Sequence, residues 1–107
     1  MNDIQKMKRN FRATKPWKNL KNKLKKERKV DELTGKPLRA GWNLHHIDLD
    51  DTHYKDISNE NNFMCLNKQS HEFLHWFMRY ALSDPDIMKR LEEIIEEHKR
   101  INKMSLY

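Results

Sequence analysis

The apolar residues of this chain change their period twice, from helical to alternating and back again, and that change narrows the choice of fold class. Trp17, Leu20 and Leu24 fall three and four residues apart, with Pro16 just ahead of them. That spacing predicts a basic amphipathic helix from Pro16 to about Lys29. Trp42-Asn43-Leu44-His45-His46-Ile47 instead alternates, as a short strand does, and Phe63-Met64-Cys65-Leu66 reads as a second strand. From Lys68 to about Leu82 the pattern is helical again, with His71, Phe73, Leu74, Trp76, Phe77 and Tyr80 on more than one face, which predicts a well-buried helix. Asp84 as N-cap and Pro85 at the first helical position open a last helix to about Lys103, whose Ile87, Leu91, Ile94, Ile95 and Ile101 form an apolar stripe. The expected class is α+β.

The connections fit that order. Thr34-Gly35-Lys36-Pro37 is turn chemistry between Leu33 and Leu38, and Ala40-Gly41 leads into the first strand. Residues 48–61, rich in Asp, Asn, Ser and Thr, predict a surface loop. Residues 1–13 have weak periodicity and are expected to be a mobile basic arm, with room for a short helix on Ile4, Met7 and Phe11. At 107 residues one domain is expected over 1–107, made of the arm 1–13, the basic helix 16–29, a core 42–82 and a last helix 85–103.

Charged residues equal hydrophobic ones at 36% each, so the core must be small and most helix faces must meet water. Cys65 is the one cysteine, which excludes an internal disulfide and a cysteine zinc cluster and fits a reducing, cytoplasmic setting. No apolar run has the length of a signal sequence or a bilayer span, so membrane partners are not expected. Residues 1–40 carry 14 Lys/Arg against 4 Asp/Glu, whereas residues 41–107 carry 8 against 12. Lysine-rich stretches are often no more than solvated helix faces. Here Lys15, Lys18, Lys21, Lys23, Lys25, Lys26, Arg28 and Lys29 crowd into fifteen residues, dense enough to contact several phosphates of a nucleic acid. Lys15, Lys18, Lys21, Lys25 and Arg28 are the expected nucleic-acid contacts. Too few apolar positions accompany them for a membrane-inserting face.

Four of the six histidines form two pairs, His45-His46 and His71/His75. On a helix, residues four apart share a face, so His71 and His75 can aim both imidazoles at one metal ion. Alone, that spacing is common on helices that bind nothing. Neighbours on a strand project to opposite faces, so His45 and His46 cannot share a role: one can complete a three-histidine site while the other stays unliganded and exchanges a proton with water. Phosphodiester hydrolysis needs such a base, and a divalent ion to screen the charge developing on the phosphate.

The stretch WNLHHIDLDD, followed by NNFMCLNKQSHEFLH, resembles the HNH (His-Asn-His) nuclease motif, which folds as two strands and a helix around one metal. The resemblance spans residues 42–75. It implies a ββα-metal core, with His45 as metal ligand, His46 as general base, Asn62 orienting that base, and His71 and His75 as the remaining ligands in the manner of the colicin-type DNases. Asn62 precedes His71 by the nine positions usual in that family, with Asn61 the nearest rival. The preceding segment KPWKNLKNKLKKERKVDELTGKPL is similar to the basic Trp-containing helix and turn found before the motif in many phage and bacterial members.

One departure is that many members hold a structural zinc on two Cys-x-x-Cys pairs, where this chain has Asp31, Thr34, Asn67 and Ser70. A scaffold held by packing is implied, with Cys65 as a small buried hydrophobe. Asp48, Asp50 and Asp51 are taken as a solvated loop, and His53 and His98 receive no role. The resemblance thus implies a metal-dependent endonuclease acting on DNA, with RNA left open, using zinc, nickel, cobalt, manganese or magnesium. Three neutral imidazoles favour the transition metals over magnesium. Two rival readings remain at this point. One is a non-catalytic basic module with a structural metal; the other is a nuclease subunit of a phage DNA-packaging assembly in a bacterial host cell, with phage or bacterial partner proteins.

Overall fold

The structure is a computed structural model that describes residues 1–103; residues 104–107 lie outside the described residues. It is α+β: helices α1 (Asp3–Arg12) and α2 (Lys15–Arg28), strands β1 (Asn43–His46) and β2 (Phe63–Leu66), then helices α3 (Lys68–Trp76) and α4 (Pro85–Asn102). The contacts divide into two compact units, Met1–His71 and a second beginning at Glu72, with the division inside the uninterrupted helix α3.

The N-terminal arm holds the short helix for which Ile4, Met7 and Phe11 left room, here α1, and the reason is local. Asn2 and Gln5 form a reciprocal capping box, Asp3 sits in the first turn, and Arg9 and Arg12 sit in the last, so both helix ends are satisfied. The Thr14 hydroxyl donates to the Phe11 carbonyl at 2.7 Å, and Thr14 is extended, which separates α1 from α2. Trp17, Leu20 and Leu24 form the buried face of α2, as their spacing predicts. They pack with Trp42, Leu44, Phe63 and Cys65 into one core, against which Phe11, Leu38 and Ile57 are half-buried.

β1 and β2 are antiparallel, with Asn43 opposite Leu66, Leu44 opposite Cys65, His45 opposite Met64 and His46 opposite Phe63. β1 is four residues long rather than the six of Trp42–Ile47. Gly41, at φ +83°, turns the chain just ahead of it. The loop between the strands contains two 3-10 turns, Asp51–His53 and Glu60–Asn62, opened by the side chains of Asp50 and Asn59.

The four positions where a cysteine-ligated zinc is absent converge on the Asp31 carboxylate, which is fully buried. Its Oδ1 accepts from the backbone N–H of Leu33 (2.9 Å) and Thr34 (2.7 Å) and from the Thr34 hydroxyl (3.0 Å). Its Oδ2 accepts from Asn67 N–H at 2.6 Å, and the Ser70 hydroxyl also bonds the carboxylate. Asn67 continues the network, its side-chain oxygen accepting from Arg39 N–H at 2.8 Å and its amide donating to the Pro37 carbonyl at 3.1 Å. Burial pushes the Asp31 carboxyl up, but the bonds from Thr34, Asn67 and Ser70 outweigh it and hold the group below the usual carboxylate range.

In the second unit, α3 continues into a π-helical stretch, Phe77–Ala81, and then α4. The expectation of a well-buried helix from Lys68 to Leu82 is corrected here. Only Ser70 and Ala81 are buried along it, while Phe73, Trp76, Met78 and Tyr80 are exposed. Apolar residues that circle a helix cannot all face one neighbour, and these pair along the helix instead, Phe73 with Phe77 (5.9 Å between rings) and Trp76 with Tyr80 (6.1 Å). Asp84 caps α4 through Asp86 N–H as expected, but no residue of α4 is buried.

Asp31→Ala should therefore cost about 3 kcal/mol in urea unfolding, because several buried N–H groups lose their acceptor at once. The folded-state pKa of Asp31 is depressed relative to an unfolded value of about 3.9, so its stabilisation is complete above that value and disappears as pH falls through the folded one. Unfolding of Asp31→Asn followed into acid should accordingly show a shallower loss than the parent; equal slopes would remove Asp31 as the acid-sensitive node.

Candidate metal centre

The period of two along β1 gives its adjacent histidines different surroundings. His45 lies beside His71, ring centroids 5.3 Å apart and nearly perpendicular. The start of α3 is what places His71. Asn67 N–H is held by Asp31, and the Asn67 carbonyl accepts from His71 N–H at 2.9 Å. His75 follows one helical turn later on the same face.

His45, His71 and His75 each offer a ring nitrogen, and these donor atoms all lie within 4.8 Å of one another. A tetrahedral ion with bonds of about 2.0–2.1 Å needs its donors roughly 3.3–3.4 Å apart, which small side-chain rotations supply from here. Three imidazole nitrogens suit a borderline transition metal and leave further coordination positions for oxygen ligands. His45 is buried, His71 half-buried and His75 exposed, so the cluster opens to solvent on one side. The cluster can hold a metal ion.

His46 is 9% exposed and stacks with two aromatic rings, Tyr54 at 4.1 Å and Trp17 at 5.2 Å, with Phe63 edge-on at 5.0 Å. Its Nε2 lies 2.9 Å from the Tyr54 carbonyl, which can only accept. Nε2 therefore carries the proton and Nδ1 keeps its lone pair. Burial lowers the His46 pKa, against the hydrogen bond to Tyr54, and the charges of Lys8 and Arg12 lower it further while Asp48 raises it. The imidazole is neutral at neutral pH.

Asn62 bonds the loop that follows β1. Its side-chain oxygen accepts from Asp48 N–H and its carbonyl from Ile47 N–H, both at 2.8 Å, which ties the end of β1 to the start of β2. The group that orients His46 directly is the Tyr54 carbonyl. Sequence reasoning missed Tyr54 because it lies in an irregular loop and its neighbours come from 40 or so residues away, as with the Arg12–Tyr54 hydroxyl bond of 2.9 Å.

Of the expected nucleic-acid contacts, Lys15, Lys18 and Lys25 are exposed on α2. Lys21 is half-buried over the Trp42 ring at 4.7 Å, and burial lowers its pKa, against the nearby Cys65. Arg28 is committed internally to Glu32 (3.0 Å) and to the carbonyls of Phe63 and Glu60. The acidic loop is solvated, as expected, and His53 joins it: Nδ1 meets Asp48 at 2.8 Å, a bond that with Asp50 raises the His53 pKa. Cys65 is a fully buried free thiol whose pKa burial raises.

No family model, curated protein or solved structure matches the chain. Among the described residues no helix is long and apolar enough to cross a membrane.

Zinc or nickel at about 100 times its dissociation constant should stabilise the protein by roughly 2.7 kcal/mol. Replacing any one of His45, His71 and His75 by Ala should abolish most of that gain in a thermal melt, whereas His53→Ala should retain it. A full response from His75→Ala would show that His75 is not a ligand.

Proposed function

We propose that this protein is a metal-dependent endonuclease of the HNH, ββα-metal type that hydrolyses phosphodiester bonds in DNA. The observation that carries the reading is a three-imidazole cluster on β1 and α3 immediately next in sequence to a neutral histidine with its Nδ1 lone pair retained. In this reading His45, His71 and His75 hold one divalent ion. When bound, the ion supplies Lewis-acid polarisation of a phosphate oxygen and screens the charge of the departing oxygen. His46 Nδ1 takes the proton of the attacking water, and the Tyr54 carbonyl stabilises the imidazolium that results by accepting from Nε2–H. Asn62 keeps the loop that carries Tyr54 joined to both strands. Lys15, Lys18 and Lys25 add phosphate contacts that depend on charge and not on base sequence.

One observation favours a second reading, a non-catalytic nucleic-acid-binding module with a structural metal. His46 is 9% exposed and stacks against both Tyr54 and Trp17, so little of its ring can meet a substrate. Plasmid nicking across a series of divalent metals separates the two, since the module binds DNA without cutting it.

His46→Ala should keep its metal and its DNA affinity while cleavage drops by roughly two to four orders of magnitude. Should calorimetry show it losing the metal as fully as His71→Ala, the roles of the two histidines are wrong. Charge reversal at Lys15, Lys18 and Lys25 should weaken DNA binding and flatten the slope of log affinity against log salt. An unchanged slope would move the DNA path off α2.

A further inference from the structure

The N-terminal helix is built onto the loop that orients His46. Three side chains of α1, spaced along one face, converge on the ring of Tyr54. Lys8 lies over it at 5.1 Å from the centroid, Phe11 meets it edge-on at 5.9 Å, and the Arg12 guanidinium donates to its hydroxyl at 2.9 Å. Lys8 also pairs with Asp51 in the same loop at 2.5 Å, and Phe11 rests on Trp17 at 5.7 Å. The Tyr54 ring also stacks on His46, which lies nearly parallel to Trp17 as well.

We infer that Tyr54 is a positioning residue for His46 and that α1, through Lys8, Phe11 and Arg12, is the element that holds Tyr54 in place. The catalytic consequence rests on the nuclease reading above; the structural one does not. Over 54–59 the chain is neither helix nor strand, and Ile57, half-buried against the core, is its other tie. Tyr54 holds His46 twice, by its carbonyl at Nε2 and by its stacked ring. A cation over one face of the ring, a donor on its hydroxyl and an aromatic edge restrict it in three directions. These contacts spend Lys8 and Arg12 on the fold. An arm that only gathered phosphates would need none of these contacts.

The two roles of α1 predict different losses. A positioning helix lowers kcat by misplacing His46, since small displacements of a reacting group cost roughly ten- to a hundredfold. Loss of a phosphate-gathering helix raises KM and flattens its salt dependence. The experiment uses the full chain carrying Lys8→Met and Arg12→Met together, exposed replacements that keep side-chain length, with Tyr54→Leu and Tyr54→Phe alongside. Long-range proton–nitrogen spectra of the imidazoles read the His46 tautomer without any need for cleavage. The parent should show His46 locked with Nε2 protonated. Tyr54→Phe, which keeps the stack, should stay locked, whereas the double variant and Tyr54→Leu should show averaged nitrogens, and plasmid nicking should fall in kcat with KM unchanged. A double variant that keeps the His46 spectrum and loses only KM would overturn the inference, as would averaged nitrogens in the parent. A locked parent and averaged variants in a protein that never nicks DNA would defeat the nuclease reading and leave the role of Tyr54 standing.

Discussion

A carboxylate withdrawn from water needs hydrogen-bond donors around it, and the donors that Asp31 gathers come from three separate stretches of chain. The turn after α2 supplies Leu33 and Thr34, the residue between β2 and α3 supplies Asn67, and the first turn of α3 supplies Ser70. Those bonds fix where α3 begins, and one helical turn from that start decides where His71 and His75 point. A metal ion bound by four thiolates could join the same segments, and in this chain a buried anion and its donors perform the joining. The cost of burying the charge makes the arrangement all-or-none: without the donors the carboxylate is unstable, and without the carboxylate the donors are.

The second constraint is the strand period. Because adjacent side chains on β1 diverge, His45 can enter a metal cluster while His46 enters an aromatic stack, and each is surrounded by what its state requires. The cluster opens to water at His75. The stack does the opposite for His46, keeping it neutral and committing its Nε2 proton to a carbonyl. A metal-binding cluster and a neutral imidazole need different environments, and adjacent positions on one short strand provide them.

Much of this was legible in the sequence, and the misses share a cause. β2 falls on Phe63–Leu66 as its apolar run predicts, and α2 buries the Trp17, Leu20 and Leu24 face that its spacing predicts. Strand and helix periods allow a three-histidine cluster, and it was the resemblance to the HNH motif that named His45 as its strand member. α1 was legible only as room for a short helix, because its apolar spacing is weak, although Asn2 and Gln5 spelled out a capping box. Burial along α3 was overestimated because apolar content says nothing of which neighbour is present to cover it. Arg28 looked like a phosphate contact, yet it satisfies carbonyls at Glu60 and Phe63, more than thirty residues away. Tyr54 carried no local signal at all, since its role exists only once α1, α2 and the loop are folded together.

The central claim is that one ion sits on His45, His71 and His75 and not on His46 or Cys65. X-ray absorption fine structure of the zinc-loaded protein reads this directly. The account predicts three imidazole nitrogens at about 2.0–2.1 Å with oxygen completing the shell, unchanged in His46→Ala. A spectrum with two or four imidazoles, or with a sulfur at about 2.3 Å, would contradict it.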